Sequence, residues 1–251
     1  MMASTIRNNA IKVLKGLAVL ALCLGIWELA AVAVGNSFFL PRVGETMLAL
    51  SNLVRVDGFF GIILKSLGRV LTGLVLGIVF GIILATFSHL LPASHHLISP
   101  IISVMKATPI AAIILILWFT FTDASLAIFV VFLMVTPIVW QNVYDGYRSI
   151  SKEMLEVCCV FEFSYLKKLK LLIIPTVVKY LIPAVITSIG LAWKSEIAAE
   201  IMTYSNIGRS IQDYKTLFYD TPSVFAWAVV IITLSLILES ITKYFLKRIK
   251  L

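Results

Sequence analysis

Apolar residues in this chain come in long unbroken runs, not in the short stripes by which a water-soluble helix or strand buries one face. A helix needs about 20 mostly apolar residues to cross about 30 Å of hydrocarbon. Stretches of that size, bounded by charge or by Pro and Gly, occur at about 16–34, 70–90, 101–121, 124–143, 181–203 and 224–244. The third contains Lys106 and is separated from the fourth only by Thr122 and Asp123, which predicts a tight hairpin. The fifth carries Lys194, Glu196 and Glu200, and the sixth carries Glu239. The pattern predicts an all-α integral membrane protein, a single transmembrane domain over residues 1–251 with about six transmembrane helices.

Composition strengthens this reading: 60% of the residues are hydrophobic and the mean hydropathy is +1.01, more apolar side chain than a water-soluble core hides. Cations set the orientation, because loops rich in Lys and Arg stay in the cytoplasm. Arg7, Lys12 and Lys15 precede the first stretch, and Lys243, Lys247, Arg248 and Lys250 follow the last. Arg148, Lys152, Lys167, Lys168, Lys170 and Lys179 fill the connection after the fourth. The opposite loops hold only Arg42, Arg55, Arg209 and Lys215, with Lys65 and Arg69 at the approach to the second stretch. Both termini are therefore predicted to be cytoplasmic. The net charge of +8 does not point to nucleic acid, since the cations flank apolar stretches and form no separate binding face. The first stretch is longer than the apolar part of a signal peptide and is expected to be retained. Cys23, Cys158 and Cys159 offer no disulfide framework.

Two connections are long. Residues 36–64 open with Phe38, Phe39, Leu40 and Pro41, then place Met47, Leu48, Leu50, Leu53 and Val54 at helical spacing, which predicts a short interfacial helix. Residues 144–180 predict two short helices with a turn at Phe163, Ser164 and Tyr165. In the first of them Met154, Leu155, Val157, Cys158 and Phe161 share a face, while Lys152, Glu153, Glu156 and Glu162 stay wet.

The same loop resembles the cytoplasmic EAA loop of the permease subunits of bacterial ATP-binding-cassette importers, whose pattern is EAAxxxG, nine residues, then IxLP. Glu156, Val157 and Cys158 stand at EAA, Glu162 at the glycine, and Leu172, Ile173, Ile174 and Pro175 close it. Glu162 is the departure, and a glutamate tolerates the positive φ of such a turn poorly. WEL at 27–29, FFLP at 38–41, SLGRVLTG at 66–73, KATPIAAIILILWF at 106–119, GLAWKSEIAAE at 190–200 and NIG at 206–208 are similar to the nitrate, sulfonate and taurine branch of that family.

The resemblance implies a type I importer permease fold in the bacterial inner membrane. It also implies a homodimer with a second copy of the chain, a cytoplasmic ATPase dimer, and an extracytoplasmic substrate-binding protein. Glu156, Val157, Cys158, Phe161, Glu162 and Pro175 would form the ATPase coupling site. The chain has no GxxxxGK phosphate-binding loop, so ATP belongs to the partner and no cofactor is expected here. The solute would be a nitrate-, sulfonate- or taurine-like anion or a small heterocycle. An autonomous channel or secondary transporter is the alternative.

Charge inside a span is costly and faces a cavity or a partner, which makes Lys106, Lys194, Glu196 and Glu200 the candidate substrate pathway. Two cations favour an anion, yet two acids on the fifth span leave the charge of the solute open. Gly73, Gly77 and Gly81 recur at four-residue steps, a pattern for close helix packing in lipid. Pro109, Pro137 and Pro183 are placed to kink spans, His89, His95 and His96 read as a solvated turn and not a metal site, and no catalytic constellation is present.

Overall fold

The computed structural model describes the backbone of residues 2–247 and the side chains of residues 14–245. Arg248 and Lys250, and the side chains of Arg7, Lys12 and Lys247, lie outside the described residues. Helices follow in the order α1 (Met2–Val34), α2 (Val43–Leu53), α3 (Phe59–Leu90), α4 (Pro92–Ala107), α5 (Ile110–Leu117), α6 (Asp123–Arg148), α7 (Lys152–Val160), α8 (Tyr165–Lys168), α9 (Ile174–Thr203), α10 (Asn206–Thr216) and α11 (Thr221–Lys247). No strand occurs among the described residues. The chain divides into two compact units, Met1–Phe60 with Ile211–Ile231, and Gly61–Ser210 with Ile232–Leu251.

The larger unit is built around α6, whose Leu126, Ala127, Val130, Val131, Val135, Val139 and Val143 are all buried. One side of α6 receives α3. A Cβ placed on Gly73, Gly77 or Gly81 would lie 2.7 or 2.8 Å from the Cβ of Val131, Val135 or Val139 respectively, so only hydrogen fits between the helices. Because the three contacts run in the same order along both helices, α3 and α6 are parallel. The other side receives α9 antiparallel: Gly146 meets Val177 and Tyr180, while Leu126, Ala127 and Val130 pack with Ala199 and with Ile114 of α5.

Two parallel spans require the chain to return across the membrane between them, and residues 91–122 are all that lie there. The predicted third span at 101–121 is therefore corrected. It is α4 and α5, bent by 99° at a short break. Thr108 and Pro109 are both extended, with ψ of 126° and 134°, because proline disfavours the helical conformation in the residue before it and has no N–H to continue the ladder. With the bent pair as one crossing, the spans number six: α1, α3, α4 with α5, α6, α9 and α11.

The connection 144–180 is shorter than expected, since α6 runs on to Arg148 and helical backbone resumes at Tyr165. The second short helix does not stand apart. It joins α9 through a π-helical turn, Leu169–Ile173, which accommodates the missing donor of Pro175. Residues 206–216, read as part of a loop, form α10. Its amphipathic pattern is short and was masked by the apolar stretches on either side.

The smaller unit joins sequence segments that are far apart. Trp27 Nε1 donates to the Pro41 carbonyl at 3.0 Å, and Val43 N donates to the Glu28 carboxylate at 2.9 Å. These bonds fasten the predicted interfacial helix, α2, to α1. Glu45, in the first turn of α2, accepts from Arg42 N at 3.0 Å and from Ser37 Oγ at 2.9 Å. These donors hold its carboxyl below the usual range, the backbone one most strongly. Thr221 Oγ1 donates to the Phe38 carbonyl at 2.8 Å, and Trp27 packs on Phe225.

The glycine row yields a test. Gly77→Ala should cost about 1–3 kcal/mol, whereas Gly61→Ala on the same helix, where a Cβ meets nothing within 4 Å, should be neutral to within about 0.5 kcal/mol. Thermal unfolding of both variants in detergent micelles measures the difference.

Candidate functional site

α7 begins with a serine cap, Ser151 Oγ accepting from Met154 N at 3.2 Å. It ends in a Schellman motif: Phe163 N donates to the Cys158 carbonyl at 2.9 Å and Glu162 N to the Cys159 carbonyl at 3.0 Å. The residue between cap and exit in that motif must be left-handed, and it is Glu162, at φ +48°. The position aligned with the motif glycine thus keeps a glycine's backbone with a glutamate side chain. Leu155 and Cys158 turn inward, and Cys158 is buried. Met154, Val157 and Phe161 of the predicted apolar face are exposed instead, with Val160 at 78% exposure. Glu156 and Glu162 are exposed beside them, and Lys167 covers the Phe163 ring at 4.0 Å. Pro175 sits in the first turn of α9.

The four intramembrane candidates fall into two environments. Glu196 and Glu200, one turn apart on α9, are both fully buried. Ser66 Oγ of α3 donates to both Glu200 oxygens at 2.8 and 2.9 Å. Arg69 Nη1 donates to Oε1 at 3.2 Å and to Ser205 Oγ at 3.1 Å. Asn206 Nδ2 adds a 2.9 Å bond and Ile207 N a 3.0 Å bond at the start of α10. Four donors from two elements, α3 and the start of α10, thus converge on one carboxylate. Gly208 lies so close that a Cβ there would fall 2.1 Å from the Glu200 carbonyl carbon. Tyr204 and Asn206 hold the tight exit at φ +55° and +42°. Glu196 has no hydrogen-bond donor on either oxygen among the described residues.

Lys106 and Lys194 are exposed on the single chain. Lys106 is the penultimate residue of α4, at the break, where its Nζ donates to Gln141 Oε1 at 3.4 Å. A cavity of about 360 Å³ opens there, lined by Lys106, Thr108, Pro109, Pro137, Ile138 and Leu191. Pro137 and Pro183 stay inside continuous helices, so of the three flagged prolines only Pro109 interrupts a span. A fourth, Pro100, lies inside α4.

Of the three histidines, His89 and His96 are exposed, as the solvated-turn reading expects, and His95 is half-buried. His89 stacks on Tyr147 at 4.5 Å between ring centroids, and His95 stacks on Tyr144 at 4.4 Å and Trp140 at 5.7 Å. Among the described residues no group of three His, Cys, Asp or Glu is placed to hold a metal. Sequence reasoning missed the partners of Glu200: Ser66 lies 134 residues away, and Ser66 and Asn206 stood out only as parts of strings similar to the family. A seven-residue reach from Glu200 to the backbone of Ile207 is visible only once α9 and α10 are both seen as helices.

Comparison with known proteins agrees with this architecture. Residues 77–251 match the family model described as "Binding-protein-dependent transport system inner membrane component". The chain is 24% identical over 234 residues to a Bacillus subtilis protein named as an aliphatic sulfonates transport permease, covering 92% of this chain and 84% of that one. It is 23% identical over 221 residues to the taurine transport system permease of Escherichia coli, covering 85% and 80%. Among solved structures, a chain of an amino acid ABC transporter superposes with a TM-score of 0.61 at 15% identity, covering 74% of this chain and 91% of that one. That likeness is one of fold.

Two predictions come from this geometry. Glu200→Ala should destabilise the protein by about 3–5 kcal/mol, since it strands Arg69 and the α10 donors, while Ser66→Ala should cost about 2 kcal/mol; thermal unfolding in micelles distinguishes them. Glu162→Gly should stabilise by about 1 kcal/mol, because glycine adopts the left-handed turn without the side-chain penalty. Slower proteolysis of the α7 segment in membranes measures that gain.

Proposed function

The chain belongs to the binding-protein-dependent transport system inner membrane components, and as the permease subunit of an ATP-binding-cassette importer it forms, we propose, the solute pathway driven by a separate ATPase docked on α7. It is a multi-pass inner-membrane protein of a transport family and not itself an enzyme. The observation that carries the docking reading is α7. It is a capped helix of nine residues with an exposed apolar face, held at the junction of α6 and α9.

Such a helix is short enough to fit a groove, and its Met154, Val157, Val160 and Phe161 have no cover among the described residues. Glu156 and Glu162 flank that face and supply polar contacts, Cys158 anchors it from beneath, and Pro175 marks where the return chain enters the span. Three residues join α6 to α7, so movement of α7 passes to the packed α6–α9 pair as a rigid-body displacement. Orientation follows from charge. Arg148, Lys152, Lys167, Lys168, Lys170 and Lys179 flank α7 in the sequence, which supports a cytoplasmic position for it. Six crossings put both termini on that side too, where Lys15 and Lys243 lie.

Lys106, Lys194, Glu196 and Glu200 belong to the pathway in different ways. The two lysines line it, Glu200 fixes the helix that carries it, and Glu196 lies buried one turn before Glu200 on the same helix. A second copy of the chain completes the pathway, and an external binding protein delivers the solute. The solute is small, of the kind named for the relatives: a sulfonate, taurine, or the nitrate and bicarbonate of two shorter matches.

The test is a mild-detergent pull-down of the chain co-expressed with its genomic neighbours. An ATPase should copurify with the native chain, and Glu156→Lys should reduce its recovery at least about tenfold, because the charge beside the apolar face of a small docking helix is reversed in sign. If no ATPase associates with the native chain, an autonomous channel or secondary transporter replaces the importer.

A further inference from the structure

The exposed side of α9 in mid-membrane is a single narrow stripe. From Ser188 to Thr203 every residue is buried or partly buried except Lys194. Going back along the same face, Leu191, Thr187 and Pro183 follow at steps of three, four and four residues, and Thr187 and Pro183 are exposed as well. Leu191 also lines the cavity at the α4–α5 break, so the stripe that bears Lys194 borders the cavity that bears Lys106.

The depth of this surface follows from helix geometry. Lys194 lies nine residues before the end of α9 at Thr203, about 14 Å at 1.5 Å per residue, which is near half of a hydrocarbon layer of about 30 Å. Pro137 and Ile138, on the opposite wall of the cavity, lie close to the middle of the 26-residue α6. Two ammonium groups at that depth cannot face lipid tails without a large desolvation cost, and a lysine stem is too short to carry the charge back to the headgroups. They face water.

The sequence alone leaves the sign of this surface undecided, because Glu196 and Glu200 share α9 with Lys194. The structure separates them. Both acids point into the protein, Glu200 with its carboxylate bound by four donors, and neither reaches the open face. Lys194 makes no hydrogen bond or ion pair among the described residues. Among the described residues Lys106 Nζ meets only the Gln141 amide oxygen. The nearest acid on α6, Asp145, is one turn further along, where it accepts from Gln141 Nε2 at 3.1 Å. The open face is cationic.

We propose that Lys106 and Lys194 form an anion station on the solute pathway, a mid-membrane site that receives a small anionic solute at the broken helix. The proposal deepens the permease reading and rests on it. A volume of about 360 Å³ suits a small oxyanion or sulfonate with some of its water, not an extended ligand. Neither lysine is sequestered in a salt bridge, so each is available to an anion. Two separated cations hold an anion without enclosing it, and a pathway needs a site that also lets go.

Substituted-cysteine chemistry tests this without knowing the solute. Thr187→Cys is placed on the stripe in a background with Cys23, Cys158 and Cys159 changed to Ala, and the chain is co-expressed with its neighbours and kept in membrane vesicles. The probes are two methanethiosulfonates of similar size, negatively charged sulfonatoethyl and positively charged trimethylammonioethyl. The anionic reagent should label about tenfold faster, the lower end of electrostatic steering in a charged cleft, and high salt should erode the preference. Lys106→Gln with Lys194→Gln should bring the ratio to about one. Labelling without preference while the ATPase still copurifies overturns the anion station and leaves the importer intact. Protection from both reagents with the ATPase present also overturns it, since the stripe then faces lipid or a second copy. Loss of the ATPase from the native chain overturns the permease reading and the station with it.

Discussion

Four donors to the Glu200 carboxylate tie one end of the larger unit together, and much else in that unit depends on them. A charge removed from water is tolerable only when its partners are in place before it arrives. Here they come from α3 through Ser66 and Arg69, and from the start of α10 through Asn206 and Ile207. The backbone has been bent to deliver them, with Tyr204 and Asn206 both left-handed. Gly208 lets α10 approach to a distance that no side chain permits. The acid therefore fixes where α9 stops and how α10 leaves it.

At the level of the helices the same unit is held by shape. The glycine row of α3 against the valine row of α6 brings two backbones close enough for dispersion to act in an environment where apolar burial gives helices no advantage over lipid. That contact makes α3 and α6 parallel, and the parallel pair in turn requires an intervening crossing. The crossing is made by a helix in two pieces. Thr108 and Pro109 leave backbone groups at the break that a lipid-facing segment could not expose, and they border a cavity instead.

Much of this was legible in the sequence. Span number, the glycine row and the loop carrying Glu156 all follow from local patterns, since each depends on residues a few positions apart. Glu162 is instructive in another way. The glycine expected there was absent, yet the two hydrogen bonds of the helix end supply enough constraint to hold a glutamate left-handed, so the pattern reported a backbone shape and not a residue. The break at Pro109 was half-legible: proline announces an interruption but not the 99° bend, which depends on packing against α6. The partners of Glu200 were illegible, because hydrogen bonds across more than a hundred residues leave no periodic trace. Burial sorted the four intramembrane charges into two pairs, and spacing could not have done so.

α9 connects these features mechanically. Helical backbone runs from Tyr165, beside the left-handed turn at Glu162, through the π-helical turn and on to Glu200, so one rod joins the end of the α7 segment to the carboxylate clasp. Lys194 lies along that rod, whereas Lys106 lies on α4 at the break. A displacement entering at α7 moves α6 and α9 together because they pack along their whole length, but α4 and α5 are joined to α6 only through the short connection before Asp123 and their side-chain contacts. The spacing of the two lysines, one on each side of that looser contact, is thus open to such a displacement. On the function proposed above, a site whose two cations separate when the rod moves loses its hold on a bound anion as the chain is driven, which is the requirement that transport places on a station at mid-membrane.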